Sequence, residues 1–251
     1  MYGDIVLMGE YHSGASVHLS TDAGETWKKI FEHPLYHLSG GSVGLVHTHD
    51  VAYDPYEGLI WVVGGGLEPA ASIFWSDDWG ETWRNLGPTQ FPRLTQIIPL
   101  PGCVLFGTDE DGMQGVYRHD RPDVGTMVGG VNPYRAWSTR KYWKAFALPH
   151  SDMTWMTHAA ITYGDSKAYF GFVQSGSTTH LPAQVWGTKT GYEFFLVWVD
   201  TQLAVASRTS GVYGVYGPDE EGNMIARIVT DRGEDTDNYI LKFKEPEWVQ
   251  I

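Results

Sequence analysis

The chain has 251 residues, of which 30 are acidic and 17 basic, so its formal charge at pH 7 is −13. This balance disfavours nucleic acids and anionic membrane surfaces as partners, because both are themselves negatively charged. Cys103 is the single cysteine, which excludes an intrachain disulfide framework, and no apolar run reaches the ~18 residues of a membrane span. The first residues lack a basic region followed by an apolar stretch, so we expect no cleavable secretion signal.

The composition favours many short strands joined by tight turns. The chain contains 30 glycines, 13 prolines and 11 tryptophans, and only 19% of its residues are charged. Such residues suit strands and turns, and no long segment has helical periodicity. No linker or shift in composition divides the chain, so we predict one all-β domain over residues 1–251.

The first predicted strands lead into two nearly identical turn motifs. Residues 4–10 and 15–19 read as strands, and residues 20–27 follow with the pattern S-x-D-x-G-E-T-W. Residues 48–54, 59–63 and 71–75 read as the next three strands, and residues 76–83 repeat the motif. The aspartate can accept backbone hydrogen bonds across the turn, the glycine can adopt a positive φ, and the tryptophan can pack into the sheet. The motif positions are Ser20, Asp22, Gly24, Trp27, Ser76, Asp78, Gly80 and Trp83.

Weaker copies of this unit continue to the end of the chain. Residues 187–194 keep the frame with Lys189 and Phe194 in place of Asp and Trp, and Trp143 and Trp248 can fill the tryptophan position. The five anchoring aromatics are 51 to 60 residues apart, which predicts five repeats of a four-stranded unit. Residues 94–100, 157–165 and 203–207 read as further inner strands. The first unit lacks an inner strand, because residues 4–10 already correspond to a second strand.

The S-x-D-x-G-E-T-W motif resembles the Asp-box, or BNR, repeat of sialidase-like β-propellers, which occur in phage tail and virion proteins and in carbohydrate-active enzymes. The resemblance implies a single Asp-box β-propeller of four-stranded antiparallel blades. We expect five blades; six, or a ring completed by another chain, are the alternatives. No segment matches the arginine motif of sialidases, so we do not expect sialidase activity.

Residues near the ends of inner strands are the candidates for chemistry, because these strands line the central channel of a propeller. His49 and His158 occupy equivalent positions in two units, and His47 shares a strand face with His49. These histidines could act as bases or as metal ligands, or they could pack in the channel and bond to backbone groups. The full set of acid–base candidates is His49, His158, Tyr11, Arg93, Asp109 and Glu10. No third metal ligand accompanies the histidine pair, so we expect no metal site and no cofactor.

Aromatic residues in turns and loops are the candidates for sugar binding, because exposed Trp and Tyr rings stack on sugars. These candidates, with one arginine, are Trp79, Trp137, Tyr134 and Arg208. We expect Trp27, Trp83, Trp143 and Trp248 to lie in the blade cores.

These features lead to a functional expectation with one alternative. We expect a non-catalytic propeller that binds a cell-surface glycan, as a phage tail or virion component that contacts other virion proteins. Its location would be the virion or the extracellular space. The alternative is a glycoside hydrolase or polysaccharide lyase that acts at the mouth of the channel.

Overall fold

The computed structural model describes residues 4–11, 15–34, 36–37, 43–44, 47–65, 72–85, 94–108, 115–121, 143–147, 153–156, 160–162, 167–174, 183–199, 209–231 and 236–244. All regular elements in these ranges are β-strands. Among them, no helix is long and apolar enough to cross a membrane. The strands are β1 (Val6–Gly9), β2 (Ser16–Ser20), β3 (Lys28–Glu32), β4 (Tyr36–His37), β5 (Val43–Gly44), β6 (His47–Asp54), β7 (Leu59–Gly65), β8 (Ser72–Ser76), β9 (Arg84–Asn85), β10 (Leu94–Leu100), β11 (Cys103–Thr108), β12 (Gly115–Asp120), β13 (Trp143–Ala147), β14 (Met153–Met156), β15 (Ala160–Thr162), β16 (Lys167–Gln174), β17 (Gln184–Thr188), β18 (Phe195–Val199), β19 (Thr209–Tyr216), β20 (Asn223–Asp231) and β21 (Thr236–Lys244).

The strands form antiparallel sheets in which neighbours in the chain are neighbours in space. Sheet one is β1-β2-β3, sheet two β6-β7-β8-β9 and sheet three β10-β11-β12-β13. In sheet four, β14 and β15 both pair with β16, followed by β17 and β18; sheet five is β19-β20-β21. The β4-β5 pair stands apart from these. Successive sheets adjoin, β6 lying against β1 and β10, and β19 against β16. This is the meander architecture of a β-propeller, as predicted; the number of blades stays a prediction.

The predicted strand boundaries agree closely with the structure in sheets two and three. The inner strands predicted at 48–54 and 94–100 are β6 and β10, and Trp143 begins the outer strand β13. In sheet four, β15 forms part of the predicted inner strand 157–165. Sheet one has three strands in the described residues, and both β1 and β2 contact β6. Trp248 and the inner strand predicted at 203–207 lie outside the described residues.

The core lies between the sheets, and alternate residues of β7 belong to its two halves. Trp61 and Val63 pack towards Ile97 and Phe106 of sheet three. Ile60 and Val62 pack towards sheet one, in the cluster that also holds Val17 and Phe31. All seven residues of β7 are buried, which explains its near-continuous apolar sequence, since both faces of a central strand meet other sheets.

The two turns at residues 20–27 and 76–83 contain the same set of hydrogen bonds. In the second, Ser76 Oγ accepts from Gly80 N (2.8 Å) and donates to Asp78 (2.8 Å). The Asp78 carboxylate accepts from Thr82 N (2.9 Å) and from Thr82 Oγ1 (2.5 Å). Ser20, Gly24, Asp22 and Thr26 repeat these contacts in the first turn. Both glycines have positive φ, 96° and 87°, so a side chain there would strain the backbone.

The tryptophans that end the two turns have different surroundings. Trp83 is half-buried, packs on Phe31 with a ring-centroid distance of 4.7 Å, and donates from Nε1 to the Ile30 carbonyl of β3 (2.7 Å). Trp27 is 41% exposed, so its predicted place in a blade core was wrong. The reason is that Trp83 packs on the preceding sheet, whereas Trp27 belongs to the first sheet of the chain. The side chain of Trp143 lies outside the described part.

The two turn aspartates should make the fold sensitive to acid. Their hydrogen bonds, first of all those from the threonine hydroxyls, lower the pKa of Asp22 and Asp78 from the ordinary 3.8 to about 2. A carboxyl with a lower pKa in the folded state contributes stability above its unfolded pKa and loses it as the pH falls through the folded value. The melting temperature should therefore drop between about pH 4 and pH 2. The drop should be smaller in Asp22→Asn/Asp78→Asn but unchanged in Glu25→Gln, and equal drops in all three proteins would contradict this account.

A buried ion pair joins sheets two and three. Asp54, at the end of β6, is fully buried and accepts two hydrogen bonds from Arg121, Nη1 at 2.6 Å and Nη2 at 2.9 Å. Trp61 Nε1 also donates to this carboxylate (3.2 Å), and Glu57 lies 3.0 Å from Arg121 Nη1. Arg121 Nε donates to the Leu100 carbonyl (2.7 Å). The guanidinium therefore links the β6–β7 turn to the end of β10.

Candidate functional site

A cluster of polar aromatic side chains lies where the end of β1 meets the start of β6. The backbone brings the two strands together, since Thr48 N donates to the Glu10 carbonyl (3.1 Å). Gly9 permits this approach, because a Cβ at that position would lie 2.6 Å from the Thr48 side chain. Tyr11, next along the chain from Glu10, is thereby placed beside His47 and His49. We call Tyr11, His47 and His49 the histidine–tyrosine cluster.

The two histidines of the cluster are hydrogen-bonded to each other. His49 Nε2 lies 2.7 Å from His47 Nε2, and His49 Nδ1 lies 2.5 Å from the Leu94 carbonyl. Because a carbonyl oxygen only accepts, His49 carries its proton on Nδ1 when neutral, and its Nε2 accepts from His47 Nε2–H. The orientation of His49 is therefore fixed from β10, and one proton lies between the two rings.

The local backbone makes room for His49. The register of β6 and β7 shifts between Thr48 and Asp50, which leaves His49 in a β-bulge. Its ring lies against Gly65, the register partner of His47, where a Cβ would overlap the imidazole. A bulge re-aims a side chain, and here it directs His49 towards β10 of the neighbouring sheet three.

Tyr11 is the solvent-facing member of the cluster. Its side chain is 60% exposed, and its ring centroid lies 4.5 Å from that of His47 and 6.3 Å from that of His49. A phenol can donate or accept a proton, so the cluster places one such group at the surface with two imidazoles behind it. Proton exchange with a bound molecule is the chemistry that this arrangement supports.

The sequence groups Glu10 with Tyr11 and His49 as an acid–base candidate, but the Glu10 carboxylate contacts β2 instead. Its carboxylate lies 3.3 Å from His18 Nε2 and accepts from Ser16 N (3.4 Å), both on β2. The exposed carboxylate of Glu10 therefore pairs with β2 of sheet one, although its neighbour Tyr11 belongs to the cluster.

Two ionisable side chains, the buried His33 and the partly buried Asp50, adjoin the cluster. His33 is 4% exposed, packs edge-on against Phe31, and has no hydrogen-bond partner on either ring nitrogen among the described residues. Burial, and then the charges of His49 and His47, lower its pKa from 6.5 to about 4. Burial raises the pKa of Asp50 to about 7, although Ile97 N (2.8 Å), Val51 N (2.9 Å) and Gln96 Nε2 donate to it.

His33 should weaken the fold at mildly acidic pH. Between the unfolded pKa of 6.5 and the folded value of about 4, the unfolded chain binds more protons at His33, so stability falls as the pH falls. Asp50 acts oppositely in this range, because its folded pKa is raised. The wild type alone therefore cannot isolate the effect. The free energy of unfolding of His33→Leu, relative to the wild type, should rise by about 2 kcal/mol from pH 7 to pH 5. Urea denaturation at both pH values measures this, and a constant difference would contradict the assignment.

The structure brings together only some of the residues singled out from the sequence. His49 and Tyr11 meet in the cluster, and Glu10 lies at its edge. Trp79 is 44% exposed, but it lies at the other end of sheet two, against Tyr53. Six candidates fall outside the described residues: His158, Arg93, Asp109, Trp137, Tyr134 and Arg208. Sequence reasoning missed His33, Asp50 and the Leu94 carbonyl, none of which carries a sequence signal. Within the described ranges, no three His, Cys, Asp or Glu side chains are placed to hold a metal ion.

Comparison with known proteins returned structural similarities only. No family model matches the chain, and no curated protein matches its sequence. The fold is similar to a GH43 β-1,3-galactosidase, with 12% identity and a TM-score of 0.48 over 94% of this chain and 52% of that one. It is also similar to an exo-β-1,3-galactanase from Clostridium thermocellum, with 10% identity and a TM-score of 0.49 over 96% and 57%. For the α-L-arabinanase of Penicillium chrysogenum complexed with arabinobiose, the values are 11% and 0.39 over 88% and 70%.

These proteins are named as enzymes that act on carbohydrates. The chain spans little more than half the length of the first two. At such identities and TM-scores the likeness concerns the fold and does not extend to sites or substrates.

Proposed function

We propose that the protein is a carbohydrate-active enzyme that cleaves a glycosidic bond by acid–base chemistry at the histidine–tyrosine cluster. The observation that carries the proposal is the exposed phenol of Tyr11 against a hydrogen-bonded imidazole pair. Tyr11 exchanges a proton with the sugar, because it is the member that reaches solvent. His47 and His49 hold the neighbouring proton, and the Leu94 carbonyl keeps His49 in one tautomer.

The placement of Tyr11 favours proton transfer over a purely structural role. The ring is 60% exposed and tilted by 46° against His47, so Tyr11 contacts both solvent and an imidazole. His47 uses its Nε2–H towards His49, so its Nδ1 is an acceptor that can take up the phenolic proton as it leaves. Both hydrolysis and β-elimination of a glycosidic bond need such a proton-transfer group. The two reactions differ in their products, which distinguishes them experimentally.

The test is a screen of the purified protein against polysaccharides. Neutral galactans, arabinans and xylans should be included alongside uronate polymers such as alginate and pectate. New reducing ends report hydrolysis, and the ultraviolet absorbance of unsaturated uronates reports elimination. Turnover that the Tyr11→Phe variant lacks supports the proposal; absence of turnover on every polymer counts against it.

A second candidate, a glycan-binding propeller without turnover, is favoured by the exposed ring of Trp79. A glycan array probed with the same preparation distinguishes the two, because binding without product formation supports this candidate alone. The resemblance of the turn motifs to Asp-box repeats fits either one. The virion setting, with other virion proteins as partners, remains a prediction.

A further inference from the structure

A pair of stacked aromatic rings lies at the opposite end of sheet two from the histidine–tyrosine cluster. The Trp79 ring lies nearly parallel to that of Tyr53, with centroids 5.2 Å apart and an interplanar angle of 16°. Tyr53 follows His49 by four residues on β6, so the two places are roughly 13 Å apart along the strand. The pairing of β6 with β7 also places them at opposite ends of the sheet. Tyr53 pairs with Ile60 and His47 pairs with Gly65, near the two ends of β7.

The turn that carries Trp79 does not require a tryptophan there. Its counterpart in the first turn is Ala23, and both residues have a φ of 59°. The hydrogen bonds of the two turns correspond one to one. A left-handed φ is unfavourable for a bulky side chain, and an indole that is 44% exposed contributes less to the core than a buried one would. The turn geometry therefore explains the backbone of Trp79 but not its side chain.

We propose that Trp79, backed by Tyr53, forms a flat aromatic platform that binds a sugar ring, separate from the histidine–tyrosine cluster. The choice of a carbohydrate as ligand rests on the proposed function. One face of the indole is held against Tyr53, so its orientation is fixed before binding, which reduces the entropy lost on association. The rest of the ring is available to the apolar C–H face of a pyranose.

Charged groups beside Trp79 in the chain suit the hydroxyls of such a ligand. Asp77 immediately precedes Asp78 in the turn and pairs with Arg84 Nη1 at 3.1 Å, and both side chains are partly exposed. A carboxylate and a guanidinium together offer acceptors and donors to sugar hydroxyls. The platform would hold one part of a polysaccharide at the end of sheet two that lies away from the histidine–tyrosine cluster.

Native gels cast with soluble arabinogalactan, laminarin, xylan or alginate test this platform. The wild type should be retarded in at least one of them, relative to a gel without polysaccharide. Trp79→Ala, which recreates the side chain of the first turn, should raise the dissociation constant about tenfold. Tyr53→Phe keeps the stacked ring and should be retarded like the wild type. Melting curves of the variants verify that each is folded.

The outcomes separate this proposal from the proposed function. Tyr11→Phe should still be retarded, since the platform does not include Tyr11. If Tyr11→Phe loses retardation while Trp79→Ala keeps it, binding belongs to the cluster and the platform is overturned, while the proposed function stands. A wild type that migrates freely in all four gels also overturns the platform. Turnover of short soluble oligosaccharides, measured separately, tests only the catalytic role proposed for the histidine–tyrosine cluster.

Discussion

Replacing Tyr11 with phenylalanine should lower turnover by about 100- to 10,000-fold on any polysaccharide that the enzyme cleaves, the range for losing a general acid or base. The substitution keeps the ring against His47, at 4.5 Å between centroids, and removes only the hydroxyl. Substrate affinity should change little, because the loss falls on the proton-transfer step. His49→Ala should lower turnover to a similar extent, because it removes the acceptor of the His47 proton.

The matched control for this experiment is Tyr216→Phe. Tyr216 is 52% exposed, like Tyr11 an accessible tyrosine at a strand end, but it belongs to β19 in sheet five. It should retain full turnover. If Tyr11→Phe also stays within about twofold of the wild type, Tyr11 takes no part in proton transfer and the assignment of the cluster is wrong.

The fold was predictable because its signals are local. The repeated S-x-D-x-G-E-T-W turns marked two strand connections, and period-two patterns marked the strands beside them. The inner strand predicted at residues 94–100 coincides with β10 for this reason. Trp27 shows the limit of such reasoning, because the motif is the same as at Trp83 while the burial depends on which sheet comes before.

The candidate site was only partly predictable because its contacts are long-range. The pattern H-x-H placed His47 and His49 on one face of a strand, but nothing local indicates that Tyr11 meets them from β1. The bond from His49 to the Leu94 carbonyl spans 45 residues, and it depends on how β10 lies against β6. His33 follows an ordinary outer strand in the sequence, and its ring is buried by contacts with Gly64 and Phe74 of sheet two.

Breaking the ion pair of Asp54 and Arg121 should lower the stability of the protein strongly, because this pair links sheets two and three. In Asp54→Ala, the Arg121 guanidinium, which is 7% exposed, loses the carboxylate to which it makes a bidentate hydrogen bond. Removing one member of a buried pair typically costs 3–5 kcal/mol, because the remaining charge stays out of water. We expect the free energy of unfolding to fall by about 3 kcal/mol, towards the lower end of this range, since Glu57 still lies 3.0 Å from Arg121. Urea denaturation measures the change.

The double variant Asp54→Ala/Arg121→Met separates the ion pair from the other bonds of Asp54. Removing both charges eliminates the stranded cation, and replacing a buried pair by apolar groups is often close to neutral. The double variant should therefore regain part of the stability lost in Asp54→Ala, but not all of it, because Glu57 also loses its partner Arg121. If it is as unstable as the single variant, the loss comes instead from the bonds that Asp54 accepts from Trp61 Nε1 and Tyr56 N. In that case Asp54 acts as an acceptor within the β6–β7 turn, and Arg121 is not the group that joins the two sheets.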